Sequence, residues 1–299
     1  MLASPLGSAC DGDGDADAGL SPDAARVDGG SELRTDGGPG VPIDGALAID
    51  AGPGVDAGGP LVLVMPPANG QLDYQLGGAY APPAGVAVLS RDRLDSPASG
   101  VYSICYVNGF QTQPGEGDFW MDEHPELLLR DADGELVIDP DWEEIMLDVT
   151  TPEKRAALAG VVGGWIDACA DAGFDAIEID NLDTYSRSGG LVTQDQAVAF
   201  MRALADRAHA RGLPIAQKNS AELLGRRAEM GTDFVVVEEC NRYEECADFT
   251  GAYGDQVYVI EYRRSDFDAG CRDFPNLSTV LRDRDLQSPS ESAYVYDAC

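Results

Sequence analysis

The sequence predicts a parallel (β/α)8 barrel, an α/β fold of the TIM-barrel type, preceded by a disordered acidic N-terminal tether. Three observations predict it. From residue 70 onward, short β-rich runs alternate with helical periodicity and glycine breaks, the pattern of parallel βα units. The runs number eight over roughly 240 residues, and a barrel of this kind takes ~250. The hydrophobic fraction of 44% is enough for a sizeable core. A doubly wound open sheet is the alternative, but no G-x-G-x-x-G follows an early strand, so dinucleotide binding has no support.

Residues 1–60 stand apart. They hold 14 Gly and 10 Asp and no Phe, Trp or Tyr. Such a segment cannot bury enough apolar surface to offset its chain entropy, so a disordered tether is expected there, with the barrel over 61–299. Asp11 to Asp17 reads DGDGDAD, yet a calcium loop of the EF-hand type would need Gly at its sixth position and Glu at its twelfth. Ala16 and Pro22 occupy those places, so the run is a solvated acidic stretch. The opening MLASPLGSAC ends in small residues before Cys10, as a bacterial lipoprotein signal does, although Gly7 sits where Leu is usual. On that reading the protein is exported, extracellular or held at the cell surface, and touches membrane only through a lipid at Cys10.

The barrel strands are expected at Asp73–Leu76, Val86–Leu89, Val101–Val107, Ile145–Val149, Ala176–Asp180, Pro214–Asn219, Phe234–Glu239 and Val257–Ile260. After Val149, Thr151 can cap a helix and Pro152 suits its first position. Leu158, Val161, Val162, Trp165, Ile166 and Cys169 then recur along one helical face until Gly173 ends it. Gln194 to Arg211 forms a second helix ending at Gly212, and Ala221 to Met230 a third ending at Gly231.

The chain carries 53 Asp and Glu against 20 Lys and Arg, a formal charge of −33. That balance excludes nucleic acid as a partner, because a phosphate backbone needs a basic face. It favours cationic ligands instead. Of the seven cysteines, setting Cys10 aside leaves Cys105, Cys169, Cys240, Cys246, Cys271 and Cys299, an even set compatible with three disulfides in an oxidising compartment. Cys105 with Cys169 is one plausible pair, and the other four allow three pairings. No C-x-x-C is present and the two histidines are isolated, so neither a metal nor a cofactor is expected.

In such a barrel the active site forms where the strands end at the C-terminal face. The expected strand ends supply Tyr74 and Gln75, then Tyr106 and Asn108, then Asp148. They continue with Glu178, Asp180, Asn181 and Asp183, with Gln217, Lys218 and Asn219, with Glu238 and Glu239, and with Glu261 and Tyr262. Hydrophobic strands that stop abruptly in carboxylates place charge where it is costly unless paired or used. Paired carboxylates without a histidine base or serine elbow point to glycoside hydrolysis, one protonating the leaving oxygen and the other acting as nucleophile or base. Tyrosines at the same rim can stack on sugar rings, and an acidic cleft attracts an amino sugar.

DYQLGG, the CYVNG around Cys105, GFDAIEIDNLDTY, the helix ending AHARGLPIAQKN, VVVEEC followed five residues later by EC, and VYVIEY together resemble the endo-α-1,4-polygalactosaminidase family, glycoside hydrolase family 114. The resemblance runs from about Asp73 to about Cys271. It implies a (β/α)8 barrel that cleaves α-1,4-linked galactosamine or N-acetylgalactosamine polymers of microbial matrix and biofilm. It also implies Asp180 of the DN-x-D motif and Glu238 as the catalytic pair. Glu239 stays open as an alternative, since neighbours on a strand face opposite sides. Tyr74, Tyr106, Asn181, Asp183, Tyr185, Lys218, Asn219, Glu261 and Tyr262 form the expected sugar-contacting shell. Asp92 follows Ser90-Arg91 rather than an apolar run, which leaves it without an assigned role. A glycosidase of the same fold on another glycan, or a non-catalytic carbohydrate-binding barrel, are the alternative functions.

Overall fold

The structure, a computed structural model, describes residues 62–299. The expected tether and the lipid site at Cys10 lie outside the described residues. Eight parallel strands follow one another around the sheet: β1 (Leu72–Gln75), β2 (Val88–Asp92), β3 (Tyr102–Asn108), β4 (Ala176–Asp180), β5 (Ile215–Lys218), β6 (Phe234–Glu238), β7 (Val257–Glu261) and β8 (Ser278–Arg282). A ninth, β9 (Tyr296–Ala298), pairs antiparallel with β8. It covers the seam between the last parallel strand and the first. There Tyr296 donates its OH to the Leu72 carbonyl (3.3 Å), and the buried Arg282 guanidinium meets Asp73 at 3.2 Å and the Tyr74 carbonyl. Gly77 crosses this seam so closely that a Cβ would stand 2.5 Å from the Leu286 carbonyl oxygen, so only glycine fits.

Alternation along each strand builds two layers of core. Leu72, Tyr74, Val88, Ile104, Ala176, Ala216, Phe234, Val236, Tyr258, Ile260 and Val280 fill the barrel interior. Cys105, Val107, Ile177, Ile179 and Ile215 face the other way, onto the helices. Small Ala176 and Ala216 leave room for Phe234 and Tyr258, whose rings meet edge to face at 5.7 Å.

The connecting helices are α1 (Gly117–Glu123), α2 (Pro152–Ala172), α3 (Thr184–Arg187), α4 (Gln194–Ala210), α5 (Arg227–Met230), α6 (Cys246–Tyr253) and α7 (Arg264–Asp273). Helix α2 starts where Thr151 accepts the Lys154 N–H and stops at Gly173, whose φ of 90° closes a left-handed cap. Helix α4 opens on a reciprocal capping box between Thr193 and Gln196. The expected helix at Ala221–Met230 is a 3-10 stretch, Ala221–Arg226, followed by the short α5.

Two strand expectations need correction. Ile145–Val149 is not a barrel strand. It belongs to a long excursion between β3 and α2, where it makes isolated antiparallel bridges such as Gln111 with Met146 and Leu128 with Leu147. A run buried on both faces reads as a strand whether or not the central sheet is its partner. The eighth barrel strand is Ser278–Arg282, whose polar ends, Ser278 and Arg282, disguised a central β segment.

Three disulfides fasten the layers. Cys105–Cys169 ties β3 to α2, Cys240–Cys246 clips the loop between β6 and α6, and Cys271–Cys299 joins α7 to the residue after β9. Among the described residues no helix is long and apolar enough to cross a membrane.

Candidate active site

Three successive strands end in the same way. β4 ends at Asp180, β5 at Lys218 and β6 at Glu238, each on the interior register set by Ala176, Ala216 and Val236. The next residue on each strand is left-handed: Asn181 (φ 61°), Asn219 (φ 47°) and Glu239 (φ 56°). Asparagine tolerates that conformation and glutamate resists it, so the geometry is held by its surroundings. The turn carries the chain sharply off the strand and aims a backbone donor back at the carboxylate, since the Asn181 N–H donates to Asp180 Oδ1 at 2.7 Å.

Lys218 is the hub of the site. Its Nζ lies 3.4 Å from Glu178 Oε1, 3.3 Å from Asp180 Oδ1 and 3.3 Å from Glu238 Oε2, and donates to the Tyr74 hydroxyl at 3.2 Å. Tyr106 donates its OH to Asp180 Oδ2 (2.6 Å), Tyr262 donates to Glu238 Oε1, and Asn219 Nδ2 donates to Glu238 Oε2 (3.1 Å). Glu178 sits one layer deeper, accepting from Tyr74 (2.7 Å) and Ser90 (2.7 Å). Accessibility separates the three carboxylates. Glu178 is sealed at 0%, while Asp180 and Glu238 are 19% and 31% exposed, so only the latter two can meet a ligand.

Their electrostatics differ. Burial works to raise the Asp180 pKa, but the Lys218 ammonium, the Tyr106 hydroxyl and the Asn181 N–H outweigh it and hold the carboxyl below its ordinary value. For Glu178 burial wins and the pKa rises. Burial works against the Lys218 charge, but Asp180, Glu238 and Glu178 lift its pKa well above normal, so it stays an ammonium. Burial, followed by the neighbouring carboxylates, keeps Tyr74 and Tyr106 protonated as donors, and burial with Glu238 does so for Tyr262.

Asp180, Lys218 and Glu238 open into a cavity of about 510 Å³ that Tyr74, Tyr106, Asn181, Asp183, Asn219 and Tyr262 also line. An adjoining cavity of about 280 Å³ shares Glu238 and contains Glu239. Not every expected contact is free. Asn181 spends its amide on Asn108 (3.0 Å) and Arg187 (3.0 Å), and Asp183 pairs with Arg187 at 2.5 Å. Glu239 is held by Arg242 (2.7 Å) and Arg284 (3.4 Å).

Several expected rim residues lie elsewhere, Gln75 and Gln217 among them, buried on the outward register and bonded to Arg91 and Tyr253. Glu261 has the odd register of β7 and faces the helices, where it accepts the Asn241 N–H at 2.9 Å. Tyr185 turns into the apolar layer beneath α4 and donates to Glu222 at 2.6 Å. Asp148, on the excursion, pairs with Lys154 at the start of α2.

The excursion brings in residues that no motif or strand end singled out. Trp142 and Glu144 line the larger cavity with Arg187, and Trp142 is 58% exposed. Glu144 accepts from Asn108 at 2.9 Å, and burial pushes its pKa up to about 7. They sit on a segment with little regular structure, and only its return over the barrel mouth reveals them. Arg284, after β8, was hidden by the unrecognised strand.

The profile of glycoside-hydrolase family GH114 matches residues 57–299. Among solved structures, the fold is similar to Aspergillus fumigatus Ega3 in complex with galactosamine, with a TM-score of 0.64 and 22% identity over 80% of this chain and 98% of that one. It is also similar to the glycoside hydrolase domain of PelA from Pseudomonas aeruginosa, with a TM-score of 0.52 and 16% identity over 75% and 97% of the two chains. No curated protein sequence matches the chain.

Proposed function

The chain belongs to glycoside hydrolase family GH114, and from that membership we propose that it cleaves internal linkages of α-1,4-linked galactosamine or N-acetylgalactosamine polysaccharide, with Asp180 and Glu238 as the catalytic pair. The observation that carries this reading is the shared ammonium. Lys218 Nζ stands 3.3 Å from an oxygen of each carboxylate, so these oxygens are no further apart than twice that distance. That bound lets both carboxyl groups flank a single linkage, and the roles below take the retaining course, in which the second carboxylate is the nucleophile.

The surroundings favour Asp180 as the nucleophile, which leaves the proton transfers to Glu238. Asp180, held ionised, attacks the anomeric carbon and forms a glycosyl ester. Glu238 gives its proton to the departing glycosidic oxygen. It then takes a proton from water as that water attacks the same carbon and releases Asp180. The acidic mouth suits a polymer carrying free amines, and the galactosamine bound in Ega3 is in keeping with that substrate class. Six paired cysteines support action outside the cell.

The test is incubation with galactosamine-rich polysaccharide and mass analysis of released fragments. Wild type should release oligosaccharides whose new reducing ends start as the α anomer by NMR. Asp180→Asn and Glu238→Gln should each lose on the order of 10³-fold or more in rate with the circular dichroism spectrum preserved. Full activity in either variant removes that residue from the mechanism. Binding without products would make the barrel a carbohydrate-binding module, and cleavage confined to other glycans would reassign the substrate.

A further inference from the structure

The smaller cavity adjoins the larger one at Glu238 and does not include Asp180 in its lining. Glu238, Asn219, Tyr262, Trp142 and Arg284 line both cavities, whereas Asp180 lines only the larger. On the catalytic reading above, the sugar under attack sits over Asp180, and the acid stands beside the glycosidic oxygen. The smaller cavity, which shares Glu238 and lacks Asp180, is where the leaving sugar can extend.

That cavity has its own wall. Cys240–Cys246 clips the loop between β6 and α6, and this loop carries Tyr243 and Glu245 to the lining. Tyr243 is 58% exposed, as is Trp142 on the excursion between β3 and α2. Glu239 is already committed to Arg242 and Arg284. Glu245 is not. It stands at the N-cap of α6 without a side-chain cap bond. Burial, then the neighbouring charges of Glu222 and Asp248, push its pKa up, and no cation offsets them. A carboxylate lining a cavity among like charges is best satisfied by an incoming cation.

We propose that the disulfide-clipped loop forms a leaving-group subsite for a second amino sugar, in which Glu245 takes the free ammonium and the Tyr243 and Trp142 rings take the apolar faces of the sugar. The subsite therefore favours a deacetylated residue immediately after the cleaved linkage. This rests on the catalytic reading above and goes beyond it by naming where the amine is read.

The test is calorimetric titration of galactosamine oligosaccharides, free-amine and fully N-acetylated, into Asp180→Asn and into the same variant carrying Glu245→Gln. The glutamine should weaken binding of the free-amine form about tenfold, the size of one charge-assisted contact at a partly open site, and the acetylated form much less. Tyr243→Ala should weaken both forms alike. Equal affinity with and without Glu245→Gln, or an equal loss for both forms, overturns the subsite. Failure of Asp180→Asn to bind either oligosaccharide overturns the substrate assignment and the subsite with it.

Discussion

At the scale of single residues, Lys218 decides more than either carboxylate it serves. Removing its ammonium by Lys218→Met leaves Glu178 buried at 0% exposure with no cation, a change that typically costs ~3–5 kcal/mol. Denaturant melts at neutral pH should register that loss. The same variant removes the largest of the influences that hold the Asp180 pKa down. Asp180 contributes stability above its unfolded pKa and loses it as pH falls through the lowered folded value. Without Lys218 that loss begins at higher pH, and the acidic limb of kcat/KM should move upward with it. A limb that stays in place would mean that Lys218 does not govern Asp180. The DN-x-D and EE pairs could be placed at the barrel mouth from sequence because apolar strands end on them. The hub was only half legible. Lys218 could be seen at a strand end, but its simultaneous reach to β4 and β6 depends on register across the sheet, which sequence does not encode locally.

At the scale of elements, strand alternation sorts the carboxylates. Glu238 shares the interior register of Phe234 and Val236, while Glu261 has the opposite parity and meets the helices. Burial raises the Glu261 pKa to about 7, above an unfolded value of ~4.3. The folded state therefore keeps a proton that the unfolded state releases, and its contribution is lost as pH rises from ~4.3 through about 7. Glu261→Gln should flatten the fall in melting temperature between those limits, and an unchanged pH profile would count against this burial effect. The pair Cys105–Cys169 bridges a sequence separation of 64. Its replacement by two alanines should cost ~4 kcal/mol and lower the melting point by roughly 10 °C in a scanning experiment. Parallel strand, helix and glycine punctuation was readable because each unit is local. The excursion was not, since Ile145–Val149 has the composition of a strand and only tertiary pairing shows whose strand it is.

At the scale of the whole molecule, a net charge of −33 was the plainest signal in the sequence. A polycationic substrate should be drawn to such a field, and raising the ionic strength from ~0.01 M to ~0.1 M shortens its reach from ~30 Å to ~10 Å. KM for a deacetylated polymer should therefore rise with salt while that for an acetylated one changes little. Equal responses would assign recognition to short-range contacts alone. Composition gave this without any structure, but it could not say how the sheet closes on itself.

That closure has a consequence for the enzyme. Tyr74 belongs to β1, yet it serves Glu178 and Lys218 from β4 and β5, across the bore of the barrel. The seam beside it is closed by Arg282, which meets both Asp73 and the Tyr74 carbonyl. A side chain that reaches the reacting centre is thus tethered at the closure of the ring, so a fault at that clasp would tell on turnover through Tyr74.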